Sequence, residues 1–323
     1  MYCCASKMVI AIECDMFLPG LDNGEGKSYP ALARSKVGRG RQMKHEIAIV
    51  TDSGASLPQE IVDKYDVTVI PMQIQFDDEA YRDGIDITRE EFYRKLDGPV
   101  MPSTSQPAPS DFIHAYEKLL ERFKTIISIH ITSDGSGTCQ VANMAKARFP
   151  GADIEVFDSR SASMGIGFLV VEAAEAVLSG KTKEEILRLL AELRPRIESY
   201  AVIDSIRHLL KSGRVRAGQA LIASLLSVKP LISIRQGVVE VVDRVRTRRA
   251  ALDRLIELTL AAAGDNPKCR LAVVHGNVLD EANRLRDRLR PLVGCKEIIV
   301  TDIGPALAIH GGPGIVGVVC LPG

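Results

Sequence analysis

The stretch "EIAIVTDS", Glu46 to Ser53, is an apolar run that stops abruptly at Thr51, Asp52 and Ser53. Such a run reads as a buried strand with a polar loop at its carboxyl end. The motif recurs downstream. "TIISIHI" (Thr125 to Ile131) and "IEVFDS" (Ile154 to Ser159) are further strands, and helical patterns separate them. A short helix runs from Pro58, and Thr88 with Glu91 forms a capping box for a helix through Leu96. Ser110 is the expected N-cap of "DFIHAYEKLLERF", a helix spans Cys139 to Arg148, and an Ala-rich helix follows Ser163. "VTVIPMQIQF" (Val67 to Phe76) carries Pro71 and reads as an edge strand or a bend. Between it and the Ser110 helix, "VMPSTSQPAPSDF" (Val100 to Phe112) reads as a stiff loop that holds four polar side chains between prolines. The alternation of strands and helices predicts an α/β fold with a mostly parallel sheet flanked by helices.

The second half has a different texture. Thr182 and Glu185 cap another helix, "YAVIDS" is a strand, and "SIRHLLKSG" is a helix closed by Gly213. "LISIRQGVVEVV" (Leu231 to Val242) reads as a β-hairpin, an antiparallel element that the first half lacks. A helix from Thr247, "RLAVVH", a helix through Leu289, "EIIVTDI" and "GIVGVVCL" complete the chain. The expected organisation is an N-terminal parallel α/β domain over residues 44–165 and a C-terminal α/β domain with an antiparallel hairpin over 166–323. Residues 1–43 are polar, Gly-rich and without period, and read as a disordered segment. It is either an upstream extension or the product of a misplaced start.

The 323-residue length suffices for two cores, and 46 % hydrophobic with 25 % charged residues is the composition of a soluble globular protein. No apolar run approaches the roughly 18 residues needed to span a bilayer. The 41 basic and 41 acidic residues cancel, which argues against nucleic acid or an acidic membrane surface as partner. The seven cysteines are scattered, with no C-x-x-C and no histidine at zinc-ligand spacing. Neither a disulfide framework nor a metal site is expected, and a reducing cytoplasm fits.

Ligands of open α/β sheets bind at the carboxyl ends of strands. Four such loops combine hydroxyls with glycine: "TDSGAS" (Thr51 to Ser56), "TSDGSGT" (Thr132 to Thr138), "DSRSASMG" (Asp158 to Gly165) and "HGGPG" (His310 to Gly314). Short neutral donors and accessible backbone N–H groups suit a small anionic head, a carboxylate or phosphate. The competing reading is that they are ordinary caps and turns. Enzyme templates fit poorly: "DGSGT" lacks the G-x-S-x-G spacing and no P-loop occurs. A triad of Ser136, His310 and Asp158 can be written only by free choice among many candidates. His45, His114, His130 and His208 lie inside strand or helix patterns and read as structural, whereas His275 and His310 end apolar segments beside Gly276 and Gly311.

Taken together, "TSQP" (Thr104 to Pro107), "SGT" (Ser136 to Thr138) followed by Gln140, "DSRSASMG", "LLKSGRV", "KPL" (Lys229 to Leu231), "RVRTRR", and "HGGPG" preceded by "IGP" resemble the DegV family in order and spacing. The resemblance covers about residues 46 to 322. It implies a two-domain α/β fold that holds a long-chain fatty acid between and within the domains. It further implies that Thr104 and Ser136 hold the carboxylate and that His310 lies near it. Arg214 and Arg246 would sit at the pocket mouth or the partner surface. Members of the family serve as the acyl carrier subunit of a fatty acid kinase, whose separate ATP-binding subunit phosphorylates the bound carboxylate to an acyl phosphate. The resemblance thus implies a cytoplasmic, non-catalytic subunit with no cofactor. A stand-alone lipid sensor or transport protein, and a hydrolase or phosphotransferase using Ser136 and His310, are the alternatives. Three positions depart from the pattern: Asp134-Gly135 replaces Gly-Leu, Ser212 replaces a glycine, and "HGGPG" lacks a usual threonine. An inward Asp134 would repel a fatty acid anion; the expected orientation is toward solvent or a cap.

Burying about fifteen methylenes at about 0.8 kcal/mol each yields on the order of 12 kcal/mol before ordering costs. A carboxylate hydrogen bond adds about 1.5 to 3 kcal/mol and sets which end points outward. A long apolar tunnel is therefore needed, and "GFLVVEAAEAVL" (Gly167 to Leu178) and "ALIASLLSV" (Ala220 to Val228) are candidates to line it, ordinary core being the alternative.

Overall fold

The computed structural model of the chain describes residues 46–204, 206–215, 228–264, 266–295 and 297–323. The segment read as a disordered extension, and "ALIASLLSV" except for Val228, lie outside the described residues. Glu46–Ser53 forms the buried strand its composition predicts, β1 (Ile47–Asp52), which leads through a short turn of 3-10 helix into α1 (Gln59–Tyr65). Then follow β2 (Thr68–Ile70), β3 (Gln73–Phe76), β4 (Glu79–Arg82), α2 (Arg89–Leu96), β5 (Ser103–Ser105), α3 (Pro109–Leu120), β6 (Thr125–His130), α4 (Thr138–Lys146) and β7 (Asp153–Asp158). The order β2-β1-β6-β7 makes an all-parallel sheet. Both of its faces are buried, which is why its strands are apolar without alternation. Ile126 packs in the cluster beneath Phe112 and Tyr116 of α3 and Ala142 of α4, whereas Ile127 and Ile129 join the large core on the opposite face.

Pro71 marks a change of sheet. β2 ends at Ile70 on the edge of the parallel sheet, and after two residues the chain enters a separate antiparallel sheet of order β4-β3-β5. Proline cannot donate to a ladder, so the break falls where the backbone leaves one set of partners for another. The same small sheet corrects the loop reading of Val100 to Phe112. Ser103–Ser105 is a strand, with Thr104 opposite Ile74. Its short length and flanking prolines gave no strand signal, and its partner lies some thirty residues upstream. The helix after it begins at Pro109 and is capped at Ala108, not at Ser110. Proline at the first helical position is already at helical φ, and the Asp111 carboxylate accepts from the Ala108 N–H at 3.2 Å. Thr182 and Glu185 form the expected capping box, Thr88 accepts from the Glu91 N–H as one half of the expected box, and Thr247 caps the helix expected to start there.

The chain continues as α5 (Met164–Leu178), α6 (Lys183–Leu193), β8 (Glu198–Val202), α7 (Arg207–Ser212), β9 (Lys229–Arg235), β10 (Val238–Val245), α8 (Arg248–Ala263), β11 (Arg270–His275), α9 (Leu279–Leu289), β12 (Ile298–Asp302), α10 (Pro305–Gly311) and β13 (Val316–Leu321). These strands form a second large sheet, of order β10-β9-β8-β13-β11-β12, antiparallel throughout except for β11 with β12. The antiparallel character extends well beyond the expected hairpin, because the last strand inserts between β8 and β11. The hairpin itself turns on Gln236 and Gly237, with φ of 51° and 87°, the two-residue turn whose twist matches its strands. A side chain at Gly237 would bring Cβ to 2.5 Å from Thr132 Oγ1 and 2.7 Å from Asp134 Oδ2. Gly237→Ala is therefore expected to cost about 1–3 kcal/mol, from the left-handed backbone and the clash together. Thermal unfolding of the variant measures this, and an unchanged midpoint would show that the hairpin tip does not need this seat.

Helix α5 lies between the two sheets, with twelve of its 15 residues buried. A helix apolar on all sides needs neighbours on all sides. Its exposed edge is tied down by Arg270, whose guanidinium reaches Glu172 at 2.6 Å and Glu175 at 2.5 Å. The outer face of the second sheet packs on α8 and α9 through Leu255, Leu285 and Val273. Contrary to the expectation drawn from scattered cysteines, Cys269 and Cys295 form a disulfide, their Cα atoms 5.3 Å apart. It joins the entry of β11 to the segment before β12, two positions with no sequence pattern to connect them. No helix among the described residues is long and apolar enough to cross a membrane.

Candidate functional site

A cavity of about 370 Å³ lies between the loops after the parallel strands and the inner face of the second sheet. Its apolar wall includes Met72, Ile131, Ile232, Val274, Ile315 and Val319. The volume is within the range of small-ligand pockets. Helix α5 contributes none of its residues to this wall, so "GFLVVEAAEAVL" is core and not tunnel lining. The sheet supplies apolar surface through residues of β8, β9, β11 and β13, such as Ala201, Ile232, Val274 and Val319.

Polar groups converge on the same cavity from four directions. Thr104, on β5, places Oγ1 2.8 Å from Nε2 of His310, in the last turn of α10. Ser136, in the loop after β6, pairs its hydroxyl with that of Thr138 at 2.8 Å and accepts from the Thr138 N–H at 3.3 Å. Gln106 lies against Gly137, where an added Cβ would be 3.3 Å from its amide. Arg214 follows α7, lines the cavity, and donates from Nε to the Gly135 carbonyl at 3.4 Å. Thr104, Ser136, His310 and Arg214 are thus brought together from positions spread over more than two hundred residues. Arg246 is exposed just past the end of β10 and is not part of the lining. Asp134 sits at the rim with an exposed side chain beside Gly237, and its N–H donates to Thr132 Oγ1 at 3.2 Å.

Electrostatics at the site favour neutral donors. Burial, reinforced by the nearby Arg214 and His208, pushes His310 down to about 4, so its imidazole is uncharged at neutral pH. Its Nδ1 is buried without a hydrogen-bond partner among the described residues. His208, read from sequence as merely structural, packs against Gly312 and donates from Nδ1 to the Ile309 carbonyl at 3.2 Å, which fixes the end of α10. Thr138 and Gln106 were legible as members of the "SGT" and "TSQP" motifs but carried no contact role, because a hydroxyl or amide in a polar loop carries no signal of where it points.

The four polar loops divide between two roles. The loops after β6 and around His310 reach the cavity, whereas "TDSGAS" and most of "DSRSASMG" stabilise the scaffold. Ser56 donates to the Ile303 carbonyl, Ser53 accepts from the Met72 N–H, and Asp158 accepts from the N–H groups of Ser133 and Arg160. Asp158 therefore does not face His310, and Ser136, His310 and Asp158 form no hydrogen-bonded triad. A serine–histidine–aspartate relay does exist elsewhere: Ser128 Oγ lies 2.6 Å from His130 Nε2, and His130 Nδ1 lies 2.9 Å from Asp52 Oδ2. All three side chains are fully buried, and Tyr116 donates to Ser128 from the far end. No substrate can reach a hydroxyl so enclosed, which bears out the structural reading of His130.

Comparison with known proteins follows the same outline. The family model described as "Uncharacterised protein, DegV family" matches residues 46–323. A DegV domain-containing protein of Caldanaerobacter subterraneus is 35% identical over 84% of this chain and 98% of its own length. Among solved structures, a DegV family protein of Thermus thermophilus shown with fatty acid binding superposes with a TM-score of 0.79 at 30% identity, covering 86% of this chain and 99% of that one. DegV of Bacillus subtilis, a fatty acid binding protein, superposes at 0.78 with 32% identity, covering 86% of this chain and all of that one, 100%. The motifs, the architecture and a match spanning every described residue agree, and the chain belongs to the DegV family.

Proposed function

We propose that this chain binds a long-chain fatty acid, its carboxylate held by Thr104 and Ser136 beside His310 and its acyl chain along the apolar wall of the cavity. The observation that carries the reading is the combination, on one cavity, of an extended apolar sheet face with a cluster of neutral hydroxyl and imidazole groups, Thr104 Oγ1 and His310 Nε2 being 2.8 Å apart. Neutral donors bind a carboxylate without the desolvation cost of a buried cation, and the tail supplies most of the affinity. Fatty acid binding by the Thermus and Bacillus relatives supports the same ligand class. Ser136 pairs with Thr138 and not with a base, as suits a binding hydroxyl better than a nucleophile.

On this reading the chain is a non-catalytic carrier in the cytoplasm that presents the carboxylate to a separate ATP-dependent kinase subunit. Arg214 at the mouth and the exposed Arg246 are the cations available to that partner or to the phosphate being transferred. The chain's N-terminal and C-terminal halves, divided near residue 165, would each contribute one wall. Organic extraction of the purified protein followed by mass spectrometry tests the ligand class: an equimolar long-chain fatty acid is expected. An extract without acyl lipid, from protein that also fails to take up added fatty acid, would sink the proposal. Incubation with ATP alone is expected to leave the bound acid unchanged, acyl phosphate appearing only with the partner present.

A further inference from the structure

We propose that Asp83 is a positioning residue for the head-group site: its buried carboxylate seats the first turn of α10 and so sets where His310 meets Thr104. This rests on the fatty acid reading for its function, but its geometry does not. Asp83 follows β4, is 5% exposed, and has its own N–H committed to the Met72 carbonyl at 2.8 Å. The carboxylate faces the Ala306 N–H in the first turn of α10 and the Ser53 hydroxyl. It also lies directly beneath Gly304, where an added Cβ would be 3.7 Å from Oδ2. Asp302, at the end of β12, accepts from the Gly304 N–H at 2.8 Å. Asp302 therefore holds, and Asp83 abuts, the entry of a seven-residue helix whose wall residues Ala306 and Leu307 and last-turn His310 all reach the cavity. So short a helix moves as one body, and a shift at its first turn is carried to His310.

The surroundings make this grip sensitive to protonation. Facing Asp83 are the acidic side chains of Asp302 from β12 and Asp52 from β1, and the Ser53 hydroxyl. Beyond Asp302 stand Arg89 of α2, with Nε at 3.6 Å, and His275 of β11, with Nδ1 at 3.6 Å, together with the Tyr93 hydroxyl of α2. Burial shifts His275 toward its neutral form, against the pull of Asp302, and Arg89 is half-exposed. Burial first, and then the two like charges, raise Asp83 to about 6 against the pull of its Ser53 and Ala306 donors. Above that pH a carboxylate accepts from α10. Below it a neutral acid accepts more weakly. Because the folded state holds this proton more tightly than the unfolded chain, stability falls as pH rises from 3.8 through about 6. Asp83→Asn, which cannot ionise, should therefore fold at least as well as the parent at neutral pH.

The test uses the full chain and cis-parinaric acid, a fluorescent long-chain acid. Its affinity is expected to weaken about three- to tenfold between pH 7 and 5, with a midpoint near 6. Asp83→Asn should bind at the weaker level and lose that inflection, while Asp302→Asn, which removes a like charge, should move it to lower pH. A ligand-free measurement separates this from the fatty acid proposal. The 15N signals of the His310 ring should show the same midpoint in the parent, well above the ring's own titration near 4, and none in Asp83→Asn. Absence of an inflection near 6 in the parent's His310 signals, or its persistence in Asp83→Asn, overturns the assignment. Failure to bind parinaric acid at any pH counts against the fatty acid reading, and the His310 signals still decide the role of Asp83.

Discussion

Replacing Thr104 by valine and Ser136 by alanine together is expected to weaken binding of a long-chain fatty acid by roughly two orders of magnitude or more, while the protein stays folded. Each hydroxyl that donates to a buried carboxylate is worth about 1.5–3 kcal/mol, so losing two removes about 3 kcal/mol at least. Valine keeps the β-branched shape that suits Thr104 to its place opposite Ile74, and the partly buried Ser136 leaves little cavity behind. The tail contacts remain, so binding should be weakened and not abolished. Fluorescent fatty acid titration at fixed pH, with circular dichroism as the folding control, measures the effect. Affinity within threefold of the parent would remove Thr104 and Ser136 from the head-group site.

A second large effect is expected behind the cavity wall, at a residue that does not line it. Asp52→Ala should destabilise the protein by about 3–5 kcal/mol, the usual cost of breaking a buried charged network by removing one member. Asp52 accepts from His130 Nδ1 at 2.9 Å, from the Ile131 N–H at 3.0 Å and from the Gly54 N–H at 3.0 Å. Its loss strands three donors in a region with no solvent, and the unpaired histidine in turn faces Ser128 and Tyr116. Urea unfolding followed by tyrosine fluorescence gives the free energy directly. A cost below about 1 kcal/mol would mean that the network rearranges around the gap. Since Asp52 does not line the cavity, fatty acid affinity of the folded fraction should change little.

Much of the architecture was legible because local chemistry and tertiary environment point the same way. Apolar runs such as Ile47–Val50 and Ile126–Ile129 are strands buried on both faces, the Gln236–Gly237 turn closes a hairpin, and Thr182 with Glu185 caps a helix. Each signal involves residues within a few positions of one another. Ser103–Ser105 carries no such signal: three small polar residues become a strand only because β3 offers unpaired backbone groups alongside. Likewise the apolar pattern of α5 could mark either a tunnel wall or a core, and only the position of α5 between two sheets makes it core. Cys269 and Cys295 are paired by the approach of two segments whose sequences do not mention each other.

The site divides along the same line. The resemblance to the DegV motifs singled out Thr104, Ser136, His310 and Arg214, and the alternation of apolar strands and helices was enough to assign an α/β fold. That chemistry is written in residue types and spacings, which the chain carries before it folds. Which loops face the cavity, which hydroxyls are spent on the scaffold, and that Asp83 lies beneath the helix bearing His310 were decided by tertiary structure. Those facts depend on contacts between segments up to some two hundred residues apart, where side-chain direction follows from sheet pairing and helix packing and leaves no local trace.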